Sequence, residues 1–172
     1  AVVTAIDYAD GQRFALHRHN RGQFAYAACG VITVFTDQGN WVVPPQRAIW
    51  VPAGVPHEMS MNGPVTLLNT YIRGPVCARL GLPAQCQVFG ISPLLHQLLI
   101  QATDIPALYD ETRREGLLMN LLLHEIAAMP ALSLNAPLPA EPRLARACRA
   151  LLEQPSLDIG IDDMARQVGM SR

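Results

Sequence analysis

The sequence contains no lysine: all 13 of its basic residues are arginine, set against 14 acidic residues for a formal net charge of -1. Without an excess of positive charge there is no basic face for a phosphate backbone, so nothing in bulk composition points to nucleic acid. The arginines are scattered through both halves, which makes the missing lysine a matter of codon usage rather than chemistry. Cysteine is also scarce. Cys29, Cys77, Cys86 and Cys148 lie far apart with no C-x-x-C pair, which excludes a disulfide scaffold and leaves free thiols in a reducing compartment. Long apolar runs are absent too: none reaches the roughly 18 to 20 residues that cross a bilayer, and no basic segment with an apolar core opens the chain. The expectation is a soluble, cytoplasmic protein. What is present is a hydrophobic share of 50% over 172 residues, enough to bury a sizeable core.

From residue 12 to about 90 the chain reads as short β-rich runs broken by turn residues: 12–16, 22–29, 31–36, 40–43, 48–51, 57–61, 65–73 and 87–89. Close spacing of short strands predicts a barrel or sandwich. Asp37 to Asn40 reads as a hairpin turn, and Pro44, Pro45, Pro52 and Pro56, which lack the N–H of a central strand, mark strand ends. After residue 90 the period becomes helical. Ser92-Pro93 opens a first helix running to about Thr103, and Thr112 with Glu115 has capping-box spacing for a second. That second helix carries leucine on more than one face. One side can rest on the barrel and the other on a twin helix, so Leu118, Leu121 and Leu122 are candidates for a homodimer interface. Residues 135–142, rich in proline and alanine, read as a linker, followed by a third helix from Pro142 and a fourth over 161–168 closed by Gly169. The resulting division is 1–90, 91–134 and 135–172.

The most specific pattern is Gly11, five residues, His17-x-His19, three residues, Gln23, six residues, Gly30, and then Pro52-x-Gly54-x-x-His57. Two histidines two apart on a strand point to one face. His57 adds a third imidazole from another strand, so three of the chain's five histidines fall in these two segments. His96 and His124, on helices among leucines, receive no role. These segments resemble the two motifs of the cupin superfamily, and the resemblance implies an α+β fold with a cupin-like β-barrel (a double-stranded β-helix) and then a helical dimerisation and linker region. It also implies a divalent metal, nickel, zinc or iron, held by His17, His19, Gln23 and His57. Gln23 stands where the family has glutamate, so the donor set is neutral, and Met61 stands where the second motif ends in asparagine.

Residues 161–171 resemble the opening of the first helix-turn-helix of AraC-type transcription regulators: Ala165 lets the second helix cross closely, Gly169 takes the turn and Ser171 would cap the recognition helix. That family sets such a module behind a cupin-like sensing domain, so the expected function is effector binding and dimerisation within a DNA-binding regulator. The expected partners are a small-molecule effector and, in a longer protein only, DNA, with no enzymatic activity. Phe24, Tyr26 and Trp50 are expected to line the effector pocket. Arg143, Arg146 and Arg149 recur at three-residue spacing and read as a solvated helix face, with phosphate contacts in a longer protein as the alternative. The rival reading is a metal-dependent cupin enzyme, a dioxygenase or isomerase, which leaves 141–172 without a purpose.

Overall fold

A computed structural model describes residues 1–37, 39–133, 135–136, 139, 141–153 and 160–169. In chain order the strands are β1 (Val2–Tyr8), β2 (Arg13–His17), β3 (Gly22–Thr36), β4 (Gly39–Val43), β5 (Arg47–Val51) and β6 (His57–Ile72), followed by helix α1 (Gly74–Arg79) and β7 (Gln87–Gly90). Helices α2 (Pro93–Ala102) and α3 (Arg114–Ala128), two-residue strands β8 (Ala131–Leu132) and β9 (Asn135–Ala136), and helices α4 (Pro142–Glu153) and α5 (Ile161–Val168) complete the chain.

All pairings are antiparallel, in the order β1-β6-β3-β5-β7-β8, with β2 on β6 and β4 between β3 and β9. The two long strands organise everything. Residues 22–27 of β3 pair with 67–72 of β6, while 31–35 pair with 58–62, with register shifts around Cys29. Such bulges bend both strands, so the sheet curls over itself. The inside of the curl holds Ala25, Ile32, Val34, Trp41, Val43, Ile49, Met59, Met61, Leu67 and Val88. Between the sheet's outer face and helices α2 and α3 lies a second core, in which Phe24, Tyr26, Trp50, Leu68 and Phe89 meet Leu95, Leu99, Met119, Leu122 and Ile126.

Several expectations change. The runs 22–29 and 31–36 are one bent strand, as are 57–61 and 65–73, and β1 and α1 lie where neither a strand nor a helix is expected. Helix α2 starts as read, with Ser92 Oγ accepting a hydrogen bond from the Leu95 amide at 3.0 Å. Helix α3 has no side-chain cap. Thr112 is instead held by Asp110, whose Oδ1 accepts from both its amide (2.9 Å) and its hydroxyl (2.7 Å), a local turn that competes with the capping box. The linker expected from Asn135 begins as β9, paired with Asn40 and Trp41 of β4. Since β8 pairs with β7, the chain after α3 returns to the sheet and covers the open edges of β7 and β4, a long-range pairing no local pattern reveals. Helix α5 ends on Gly169 in the left-handed conformation, φ 66°. Gln38 of the hairpin turn and Ser171 lie outside the described residues.

Candidate metal and ligand site

His17 closes β2 and His57 opens β6, and the two are register partners. His19 follows in the loop to β3. Their ring centroids are 4.3 Å (His17 to His57), 4.9 Å (His17 to His19) and 5.3 Å (His19 to His57) apart. One nitrogen from each can be chosen so that all three lie within 4.8 Å of one another.

The backbone sets which nitrogen is offered. His17 Nδ1 lies 2.8 Å from the Ala15 carbonyl and His57 Nδ1 lies 2.9 Å from the Val55 carbonyl. A carbonyl only accepts, so both Nδ1 atoms donate and Nε2 is the nitrogen each ring has left to offer an ion. His57 is fully buried and its Nε2 has no protein partner. Gln23 supplies a matching orphan: its Nε2 donates to Asn69 Oδ1 at 2.7 Å, which leaves the buried Oε1 unpartnered. Two unpaired buried acceptors at one cluster are costly unless something electropositive meets them. His57 is pushed below its ordinary pKa by burial and, against the Val55 carbonyl, by His17 and His19. His19 is lowered by burial and then by His17, with the Gln23 amide opposing. Both imidazoles are therefore held in the neutral form a metal requires. The set of three imidazoles and one amide oxygen fits a divalent cation of the borderline kind and leaves its charge uncompensated.

The surroundings differ from those expected. Phe24, Tyr26 and Trp50 do not line this site; they belong to the core beneath α2 and α3. Strand alternation demands it, because Gln23 faces the histidines and Phe24, one residue on, must face away. Tyr26 points its hydroxyl at His96 Nδ1 on α2, 2.6 Å away, and Trp50 Nε1 donates to the Pro83 carbonyl at 2.8 Å. The aromatic residues at the histidines are Tyr71, 5.4 Å from His19, and Phe14, 6.4 Å from His17, with Tyr8 against Phe14 at 5.2 Å. Asn69 and Tyr71 share the parity of Gln23's face, a signal legible once the strand pairing is known. Leu122 is also corrected: it is fully buried within its own chain, whereas Leu121 is 45% exposed, its neighbour Leu117 is 66% exposed, and Leu118 is half-buried against the same core.

Arg149 is not simply solvated. Its guanidinium lies over the Phe35 ring, 4.8 Å from the centroid, and 3.8 Å from Glu58 Oε2, which brings α4 against the barrel beside His57.

A curled antiparallel barrel with a histidine cluster at its mouth and two helices packed on its outer face defines a cupin-like sensing domain. The chain belongs to the AraC-like ligand binding domain family, which it matches over residues 1–127. It is 30% identical over 132 residues, 75% of this chain, to the HTH-type transcriptional regulator NimR of Escherichia coli strain K12, and the match covers 46% of that protein, less than half its length. Two solved structures share the fold over 99% of this chain. The AraC-like transcriptional activator CuxR has a TM-score of 0.51 at 14% identity, with 65% of that chain covered. Unsaturated fatty acid bound ToxT of Vibrio cholerae strain SCE256 has 0.53 at 8%, with 69% covered. Among the described residues no helix is long and apolar enough to cross a membrane.

Proposed function

We propose that this chain is the effector-binding and dimerisation part of an AraC-type DNA-binding transcription regulator working in the cytoplasm, with no catalytic role. The observation that carries the reading is the three-histidine cluster with its orphaned Gln23 Oε1, set in a barrel of the AraC-like ligand binding family. His17, His19, His57 and Gln23 would hold a nickel, zinc or iron ion, which when bound supplies a Lewis-acidic anchor for a donor atom of a small-molecule effector. Tyr71 and Phe14 supply apolar walls beside it.

The rest of the chain serves communication. Helix α3 presents Leu117 and Leu121 for a twin helix in a homodimer, and α4 and α5 begin the DNA-binding module. DNA is then a partner of a longer protein, through a recognition helix beyond Gly169. The enzyme reading lacks a carboxylate base beside the ion: among the described residues the cluster holds histidines only, which the metal would occupy, and the neighbouring Glu58 carboxylate is turned to Arg149.

The coding DNA beyond the Arg172 codon tests this reading. An open frame running into a recognition helix and a second helix-turn-helix supports it, and a stop codon directly after Arg172 overturns it.

A further inference from the structure

Where β3 and β6 meet at the end of the sheet, the register brings like charges together. Gln23 pairs with Tyr71 and Gly22 with Ile72, so Arg21 and Arg73, one residue further out on each chain segment, fall opposite one another. They share the parity of Gln23 and Tyr71. Like charges placed directly across a strand pair are destabilising. No hydrogen bond or ion pair within the described residues holds either guanidinium. Both line a cleft of about 380 Å³ with Val2, Leu108, Tyr109 and Glu111. Leu108 is 94% exposed there, an apolar side chain with nothing over it. Glu111 is the one carboxylate on the same rim. The local potential is positive despite that one carboxylate.

We propose that this cleft binds a small organic anion, with its carboxylate between the Arg21 and Arg73 guanidinium groups and its apolar body against Val2 and Leu108. Two planar forks facing one space match a carboxylate in charge and geometry, and a bound anion removes the repulsion that the empty register imposes. The cleft adjoins the three-histidine site across Tyr71 but uses none of its residues, so it stands or falls independently of the metal and of the regulator reading.

Calorimetric titration with benzoate at low ionic strength tests the assignment, with inorganic phosphate as the second probe. Benzoate should bind one to one and more tightly than phosphate, which gains nothing from the apolar walls. Arg21→Gln and Arg73→Gln should each weaken benzoate by about tenfold or more, and the pair together should abolish binding. Arg21→Lys should restore part of the affinity. The histidine variants His17→Ala, His19→Ala and His57→Ala should leave it unchanged. In the ligand-free protein Arg21→Gln should raise the melting temperature, because it removes a repulsion; an arginine serving only as a structural contact would lower it. The proposal is overturned if benzoate shows no heat of binding, if its binding survives the double arginine variant, or if phosphate binds as well as benzoate. Loss of binding in the histidine variants would overturn it equally.

Discussion

The indole of Trp50 occupies the space a side chain at Gly22 would need: a Cβ built there lies 2.0 Å from Trp50 Cη2 and 2.8 Å from two further ring atoms. Trp50 has no freedom to retreat, being 2% exposed and held by the Pro83 carbonyl. Gly22→Ala should therefore cost about 2 to 3 kcal/mol, as overpacking of a closed core does. Replacing Trp50 with Phe in the Gly22→Ala background should return part of that loss. Denaturant unfolding of the three proteins decides it, and a Gly22→Ala midpoint equal to that of the parent would show that the indole moves.

For the metal site, added zinc or nickel should raise the melting temperature, by an amount equivalent to about 2.7 kcal/mol at a hundredfold excess over Kd. His57→Ala, which removes the buried Nε2, should abolish the shift. Asn69 touches the Gln23 amide and orients its free oxygen, so Asn69→Ala should weaken metal binding by about tenfold while leaving the three histidines in place. Metal titrations of all three proteins give the comparison, and an Asn69→Ala protein with parental affinity would remove Gln23 from the donor set.

Leu121 and Leu122 are adjacent yet should behave as different kinds of residue. Leu122→Ala should destabilise the fold by about 2 to 5 kcal/mol, because Leu122 is fully buried in the core between sheet and helices. Leu121→Glu, together with Leu117→Glu, should leave monomer stability within about 0.5 kcal/mol and shift the protein from dimer to monomer. Sedimentation velocity read beside unfolding curves separates the two effects. A monomeric parent would refute the homodimer.

Arg149 ties α4 to the barrel through Phe35 and Glu58. Both ends of the ion pair are partly exposed, so salt screens it and the pair is worth less than about 1 kcal/mol, with the ring contact adding a similar amount. Arg149→Ala should accelerate amide exchange in α4 and leave α2 and α3 protected as before. Arg149→Lys should fall between, since it keeps the charge but loses the planar stacking. Equal α4 exchange in all three proteins would show that other contacts hold the helix.

Local signals located the metal-ligand candidates. The spacing of His17, His19, Gln23 and His57 is written in the chain, but β2 ends at His17, so His19 reaches the cluster from the following loop and not by the alternation of one strand. Ser92-Pro93 and Gly169 likewise marked a helix start and a helix end, because caps act on backbone groups within a few residues. Asp37 to Asn40 and the prolines placed strand ends for the same reason.

Everything that depended on which face meets what was decided by the tertiary structure. Phe24, Tyr26 and Trp50 are apolar, and alternation puts them opposite Gln23, but both faces of this half of the sheet are buried, so hydrophobicity alone does not say which is the inside of the barrel. Helix α3 carries leucine all round for the same reason: Leu122 and Leu121 look alike until the sheet occupies one side. β1 mixes apolar and polar residues on both parities and shows its strand character only beside β6. The return of 131–136 to the edges of β7 and β4, and the meeting of Arg21 with Arg73, arise from pairings between segments distant along the chain. The sequence by itself thus determined the chemistry on offer and the local turns, whereas the bent pairing of β3 with β6 decided which side chains share a space.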